Sequence, residues 1–247
     1  MKQVLIRYSP LIILAAAWEI SARAGLVSTL AMPPLSDVAL AWFDLARDGE
    51  LATNAFASLW RGAAGLLLAI VVGTIVGVLM AWWRPVHALF GPLVEAFYPM
   101  PKSALIPITV LWLGFGDGSK ILLILLGCML PVTMGAFNGA RGSEQVLVWS
   151  ARCMGASRLR TLWDVVVPSA LPELFNGIRT ALALSFILLV AAELIVAREG
   201  LGYVIGFLGA NASYEAMFAV VLTVAFLGFA ADRIYQLTID RVLAWKE

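Results

Sequence analysis

The chain has 247 residues, 62% of them hydrophobic and only 13% charged, with a formal net charge of +1 and a mean hydropathy of +0.91. A soluble domain is about half apolar and about a quarter charged, so this composition excludes an ordinary soluble enzyme and puts the chain in a bilayer. The near-zero charge says nothing about partners, and Cys128 and Cys153 form no metal or redox spacing.

Apolar runs fall at 6–24, 58–82, 88–113, 119–140, 170–196 and 215–238. Each is roughly 20 residues or longer, enough to cross the hydrocarbon core as a helix. Together they take up most of the chain and leave no room for a soluble catalytic domain. The expected fold is all-α, a polytopic membrane protein with about six transmembrane helices. We take 1–247 as a single transmembrane domain: a first helix and outer interfacial segment (1–57), core helices (58–238) and a tail (239–247).

In the first run, Lys2 and Arg7 precede the apolar core, and Ala22-Arg23-Ala24 has the small residues of a signal-peptide cleavage site. Glu19 within the run, its length and the further spans behind it favour an uncleaved first helix. Met32-Pro33-Pro34-Leu35-Ser36-Asp37 follows, with Ser36 or Asp37 placed to cap a helix. Val38, Leu40, Ala41, Leu45 and Ala46 give that helix a partly apolar face, which suits the membrane interface.

The third run holds Pro92, Pro99, Pro101 and Pro107 beside Glu95 and Lys102. Each interior proline removes a backbone hydrogen bond, and the freed carbonyls are tolerated only against protein or a water-filled cavity. This span is expected to line the centre of the assembly. Ionisable groups at such depth are functional candidates. Glu95 and Lys102 lie seven residues apart, two turns on one helix face, and pairing between them is the simpler reading. The sharper one puts Lys102 and Ser103, with Tyr98 and Met100, on the path of an anionic solute. No second proline-broken segment exists, which argues against an inverted-repeat transporter. Gly114-Phe115-Gly116-Asp117-Gly118-Ser119-Lys120 lacks the spacing of a nucleotide-binding loop and reads as a turn.

A polar interruption separates the fourth and fifth runs. Ser143, Glu144 and Gln145 start a helix over 144–153, Gly155-Ala156-Ser157 makes a turn, and Ser157 caps a second helix that Pro168 and Pro172 end. Its small-residue tip lets another protein approach closely, while Arg152, Arg158 and Arg160 offer ion pairs. The plainer alternative is an orientation-setting basic loop. Farther on, Arg179 is placed to snorkel to the inner interface. Glu193 pairs with Arg61 or Arg198, or touches solute, and Asp232 and Arg233 are boundary residues. His87 is interfacial, and Trp18, Trp82, Trp83 and Trp112 suit the aromatic belt.

Short-loop basic residues orient the chain. With both termini cytoplasmic, the inner face holds Lys2, Arg7, Arg84, Arg141, Arg152, Arg158, Arg160, Arg241 and Lys246. Arg47, Lys120 and Arg198 fall outside, with the acidic group Asp37, Asp44, Asp48 and Glu50.

The polar loop resembles the EAA motif of ABC importer permeases. That motif runs Glu-Ala-Ala, three residues, Gly, nine residues, Ile-x-Leu-Pro. Here Trp149-Ser150-Ala151, Gly155 and Val165-Val166-Val167-Pro168 hold those places at the same spacing, and Ala156-Ser157-Arg158 is a typical continuation. The motif's leading Glu is Trp149, so its ion pair does not carry over. Further likeness lies in Met32-Pro33-Pro34-Leu35-Ser36-Asp37-Val38, Ser58-Leu59-Trp60-Arg61 with Gly65, and the run from Tyr98 to Pro107. Leu111-Trp112-Leu113-Gly114-Phe115-Gly116, Ala191-Ala192-Glu193 and Gly200-Leu201-Gly202-Tyr203 continue it. The joint order covers nearly the whole chain and is most similar to the permeases for nitrate, sulfonates and taurine.

The resemblance implies a type I ABC importer (MetI-like) permease fold in a bacterial inner membrane, with loop 142–168 as the coupling element. Trp149, Ser150, Ala151, Arg152, Gly155, Ala156, Ser157, Arg158 and Pro168 are then the ATPase-coupling residues. It implies a second permease copy, two cytoplasmic ABC ATPase subunits that bind ATP and Mg, and a periplasmic or lipoprotein solute-binding protein. No cofactor or metal is expected in this chain, no nucleic acid, and no enzymatic activity of its own. Glu95, Tyr98, Met100, Lys102, Ser103 and Glu193 are the pathway candidates. The alternative is a secondary transporter or channel using Glu95, Lys102 and Glu193 as a relay. The solute itself is not legible.

Overall fold

The structure, a computed structural model, describes residues 2–244, with side chains from Ser9 onward. Lys246 and the side chains of Lys2 and Arg7, placed above on the inner face, lie outside the described residues. Every regular element described is helical. In chain order these are α1 (Lys2–Arg23), α2 (Leu35–Arg47), α3 (Glu50–Trp82), α4 (Arg84–Phe97), α5 (Ile106–Leu113) and α6 (Asp117–Arg141). They continue with α7 (Gln145–Cys153), α8 (Arg158–Thr161), α9 (Val167–Val196), α10 (Leu201–Ala210) and α11 (Tyr214–Val242).

Four described helices are long and apolar enough to cross a membrane: α3, α6, the continuous stretch Arg158–Val196, and α11. The first expected span is α1. The third is divided, as its prolines require, into α4, a 3-10 turn at Lys102–Leu105, and α5. Pro92 stays within α4, and the break falls between Tyr98 and Pro101, where two prolines stand two residues apart. A residue before proline is pushed out of the α region, and Pro101 is extended at ψ 116°.

Two expectations about helix ends are corrected. Neither Pro168 nor Pro172 ends the second loop helix, and Pro172 lies inside α9. A π turn at Leu162–Val166 carries α8 into α9, and Pro168 falls in the first turn of α9. An inserted residue of this kind re-registers a helix around a missing amide, and proline is tolerated where the amide has no partner to lose. Nor do Ser36 or Asp37 cap α2. The amides of Asp37 and Val38 donate to Pro34 O at 3.0 and 3.1 Å, while the Ser36 hydroxyl donates to Glu19 Oε1 at 2.9 Å.

The chain divides into two compact units. The first comprises Met1–Ser58 and Glu193–Phe226, the second Leu59–Ala192 and Leu227–Glu247. In the first unit, Glu19 joins α1 to the start of α2 through Arg23 (2.6 Å) and Ser36. Trp18 donates to Pro33 O at 2.9 Å and meets Phe218 edge-on at 5.7 Å. Helix α2 packs on α11 rather than lying only at an interface: Val38 is buried and Trp42 Nε1 donates to Thr223 Oγ1 at 3.0 Å.

In the second unit, helices approach through glycine. A Cβ on Gly77 of α3 would strike the Thr133 carbonyl of α6, and Gly135 of α6 faces Gly177 of α9 backbone to backbone. Lipid supplies no hydrophobic drive between helices, so such close van der Waals contact is what holds them. Met80, Val94, Leu130 and Phe137 fill the space between α3, α4 and α6. Buried Arg61 pairs with Asp117 at 2.6 Å. Arg179 and Asp232, read above as a snorkelling cation and a boundary anion, form a two-pronged ion pair at 2.8 and 3.1 Å between α9 and α11. They are 53 residues apart in sequence, so no local pattern signals the pair.

Candidate functional site

The loop between α6 and α9 has two faces. Ala151, Thr161, Leu162 and Val166 point inward and are buried, with Leu162 and Val166 packed against Ala140 and Ala170. Val146, Trp149 and Met154 are exposed, Trp149 at 59% and Met154 at 82%, while Leu159 and Trp163 line a groove against α3. Exposed apolar side chains on a charged loop are available to contact a partner protein or the membrane. Its inward face fixes the loop to the spanning helices, so the outward face is held rigid.

The tip is built as the sequence suggests. α7 ends in a Schellman motif: Ala156 N donates to Ala151 O and Gly155 N to Arg152 O, both at 3.0 Å, with Gly155 left-handed at φ +84°. Glycine takes that conformation without a Cβ penalty. Ser157 then caps α8, its Oγ accepting from Arg160 N at 3.3 Å. Ser143 does not open α7; its hydroxyl donates back to Ala140 O at 3.0 Å. Trp149, Ser150, Ala151 and Arg152 share α7, Gly155 and Ala156 form the turn, and Arg158 starts α8, so those coupling candidates are contiguous in space, with Pro168 beyond the π turn.

The pathway candidates separate. The Glu95–Lys102 pair is not formed. Lys102 Nζ donates to Phe97 O (2.6 Å), Tyr98 O (3.0 Å) and Met100 O (2.7 Å), the carbonyls freed where α4 stops. An ammonium has three hydrogens, and all are engaged. Neutral carbonyls satisfy the group without cancelling its charge. Lys102 lines a cavity of about 330 Å³ whose walls are apolar side chains, among them Phe97, Met100, Trp112 and Met129. Thr133, which lines the same cavity, has a buried hydroxyl with no hydrogen-bond partner among the described residues. Sequence reasoning passed it over because a threonine inside an apolar span carries no local signal. Tyr98 and Glu95 are exposed.

Glu193 is elsewhere, fully buried. Its Oε2 accepts from Ser58 Oγ at 2.7 Å and from Gly202 N at 3.1 Å. Leu201 N donates to Ser58 Oγ (2.8 Å) and Gly200 N to Asn54 Oδ1 (2.7 Å). Three successive amides at the start of α10, which have no partner within the helix, are thus received by Asn54, Ser58 and Glu193. A Cβ at Gly200, where φ is +114°, would run into the carboxylate. Glu193→Ala is expected to lower the thermal midpoint in detergent by several degrees, since it strands buried donors at about 1–3 kcal/mol, with Glu193→Gln recovering most of the loss. A midpoint unchanged in the alanine variant, with uptake impaired, would place Glu193 on the solute path instead.

Residues 69–243 match the family described as binding-protein-dependent transport system inner membrane component. The taurine transport system permease protein TauC of Escherichia coli is 33% identical over 249 residues, covering 99% of this chain and 90% of the relative. The putative aliphatic sulfonates transport permease protein SsuC of Bacillus subtilis is 31% identical, covering 95% and 85%. Among solved structures, the MetNI methionine ABC transporter in an inward-facing conformation matches with a TM-score of 0.61 at 21% identity, over 76% of this chain and 92% of that chain; this bears out the type I fold. The chain therefore belongs to the family of inner-membrane permease components of binding-protein-dependent ABC transport systems.

Proposed function

We propose that the chain is the permease subunit of an ATP-driven importer for a small solute bearing an anionic group, of the sulfonate, taurine or nitrate type. Two copies pair, an extracytoplasmic binding protein delivers the solute, and two cytoplasmic ATPases hold the loops. The exposed apolar face around Trp149 and Met154 on an otherwise anchored loop carries this reading. ATPase closure moves that face as one body, because the buried Leu162 and Val166 tie it to the spanning helices. Only a difference in fit between loop and ATPase states is needed to bias alternating access. Trp149 then serves as an aromatic anchor of the kind that dominates interface energetics, in place of the carboxylate of the motif.

The solute class rests on the relatives and on Lys102, a cation on neutral carbonyls beside apolar walls. Tagged chain copurified with its ATPase and reconstituted in vesicles is expected to take up taurine or an alkanesulfonate only with ATP and the binding protein. Uptake by the chain alone, driven by an ion gradient, would replace this reading with the relay.

A further inference from the structure

A basic pocket of about 560 Å³ opens where α3 and α6 end, at the same end of the helices as the arginine-rich loop. Arg84, Arg141, Arg158 and His87 line it together with Trp82 and Trp83, and no carboxylate does. None of the three arginines has a carboxylate partner among the described residues. The positions are set: His87 stacks on Phe137 at 5.2 Å, and the Arg141 guanidinium lies 5.8 Å from the same ring. Three like charges converging on one cavity repel one another, and an anion relieves that repulsion. Guanidinium groups suit phosphate because their donors fork onto its oxygens.

A second groove distinguishes which phosphate. It has a volume of about 360 Å³, is walled by Ile75, Leu79, Leu159 and Trp163, and shares Trp83 with the basic pocket. A cationic cavity and an apolar trough meeting at a tryptophan, at the depth where two spanning helices end, match an amphiphile with a phosphate head. We propose that this is a binding site for an anionic phospholipid, with the phosphodiester on Arg84, Arg141 and Arg158 and an acyl chain along the Leu159–Trp163 groove. Basic pockets between helix ends attract acidic headgroups. Arg158 and Leu159 open α8, so the lipid bridges the loop to the start of α4 and stiffens it. The site shares Arg158 with the coupling candidates, but the lipid assignment needs only that the chain spans a membrane.

The full-length chain in detergent is titrated with phosphatidylglycerol and with phosphatidylcholine, and bound lipid is counted by native mass spectrometry. Phosphatidylglycerol is expected to be held preferentially. The double variant Arg84→Gln/Arg141→Gln, checked for an unchanged melt in phosphatidylcholine, is expected to bind it about thirtyfold more weakly, from two charges near an anionic head. In the unaltered chain, phosphatidylglycerol with brominated acyl chains is expected to quench tryptophan fluorescence more than the brominated choline lipid. Inorganic phosphate at matched concentration is expected not to displace the lipid. Equal binding of both lipids, full binding by the double variant, or displacement by phosphate alone would overturn the proposal.

Discussion

Gly155→Asp is expected to leave insertion and fold intact while cutting solute uptake by about tenfold or more. An added Cβ at Gly155 meets nothing within 4 Å; the left-handed backbone strains any side chain there, but aspartate is among the residues that bear it best, at roughly 1–2 kcal/mol. The Schellman turn therefore survives. What changes is the loop tip, where on the proposed reading a carboxylate stands unpaired against the ATPase. Buried unpaired interface charges cost about 2 kcal/mol or more, and 1.4 kcal/mol is about tenfold. ATP hydrolysis by the ATPase is expected to continue without matching uptake. Simultaneous measurement of phosphate release and solute accumulation in vesicles reads this directly, with Gly155→Asn as the uncharged control. Normal, coupled uptake in the aspartate variant would remove Gly155 from any docking surface.

The second large effect is expected at Lys102. Lys102→Met keeps the apolar stem that lines the cavity but removes the charge and all three hydrogen bonds to the carbonyls of Phe97, Tyr98 and Met100. Hydrogen bonds to charged groups contribute about 1.5–3 kcal/mol each, so the broken end of α4 loosens and the field on the cavity disappears. Uptake of an anionic solute is expected to fall about tenfold or more. Lys102→Arg is expected to retain part of it, having the charge but not the compact geometry. Wild-type uptake by the methionine variant, with a lowered thermal midpoint, would show Lys102 to be a backbone cap and nothing else.

Much of the frame was legible because the bilayer leaves few choices. Length, apolarity and proline placement located the spanning segments and the break in the third, and the glycine and serine of the loop dictated its turn. What stayed hidden depends on partners remote in sequence or on how a helix absorbs a local defect. Arg179 and Asp232 look like two separate interfacial charges until α9 and α11 lie side by side. Glu193 reads as an expensive buried charge until the amides of α10, a helix not anticipated, turn toward it. For Lys102 the simpler of the two readings was a pair with Glu95, because the sequence does not reveal that three carbonyls would converge where α4 stops. Pro168 looked like a terminator because the π turn that accommodates it has no residue signature of its own.

That π turn has a mechanical consequence. Since the chain does not break at Pro168, residues Arg158–Val196 form one helical path of 39 residues, about 58 Å long at 1.5 Å per residue. A tilt of only about 5° at one tip sweeps the opposite tip through about 5 Å, close to a full pitch. The single irregular coil in this path lies beside its loop end, so a small displacement there is lengthened toward the far tip rather than absorbed along the way.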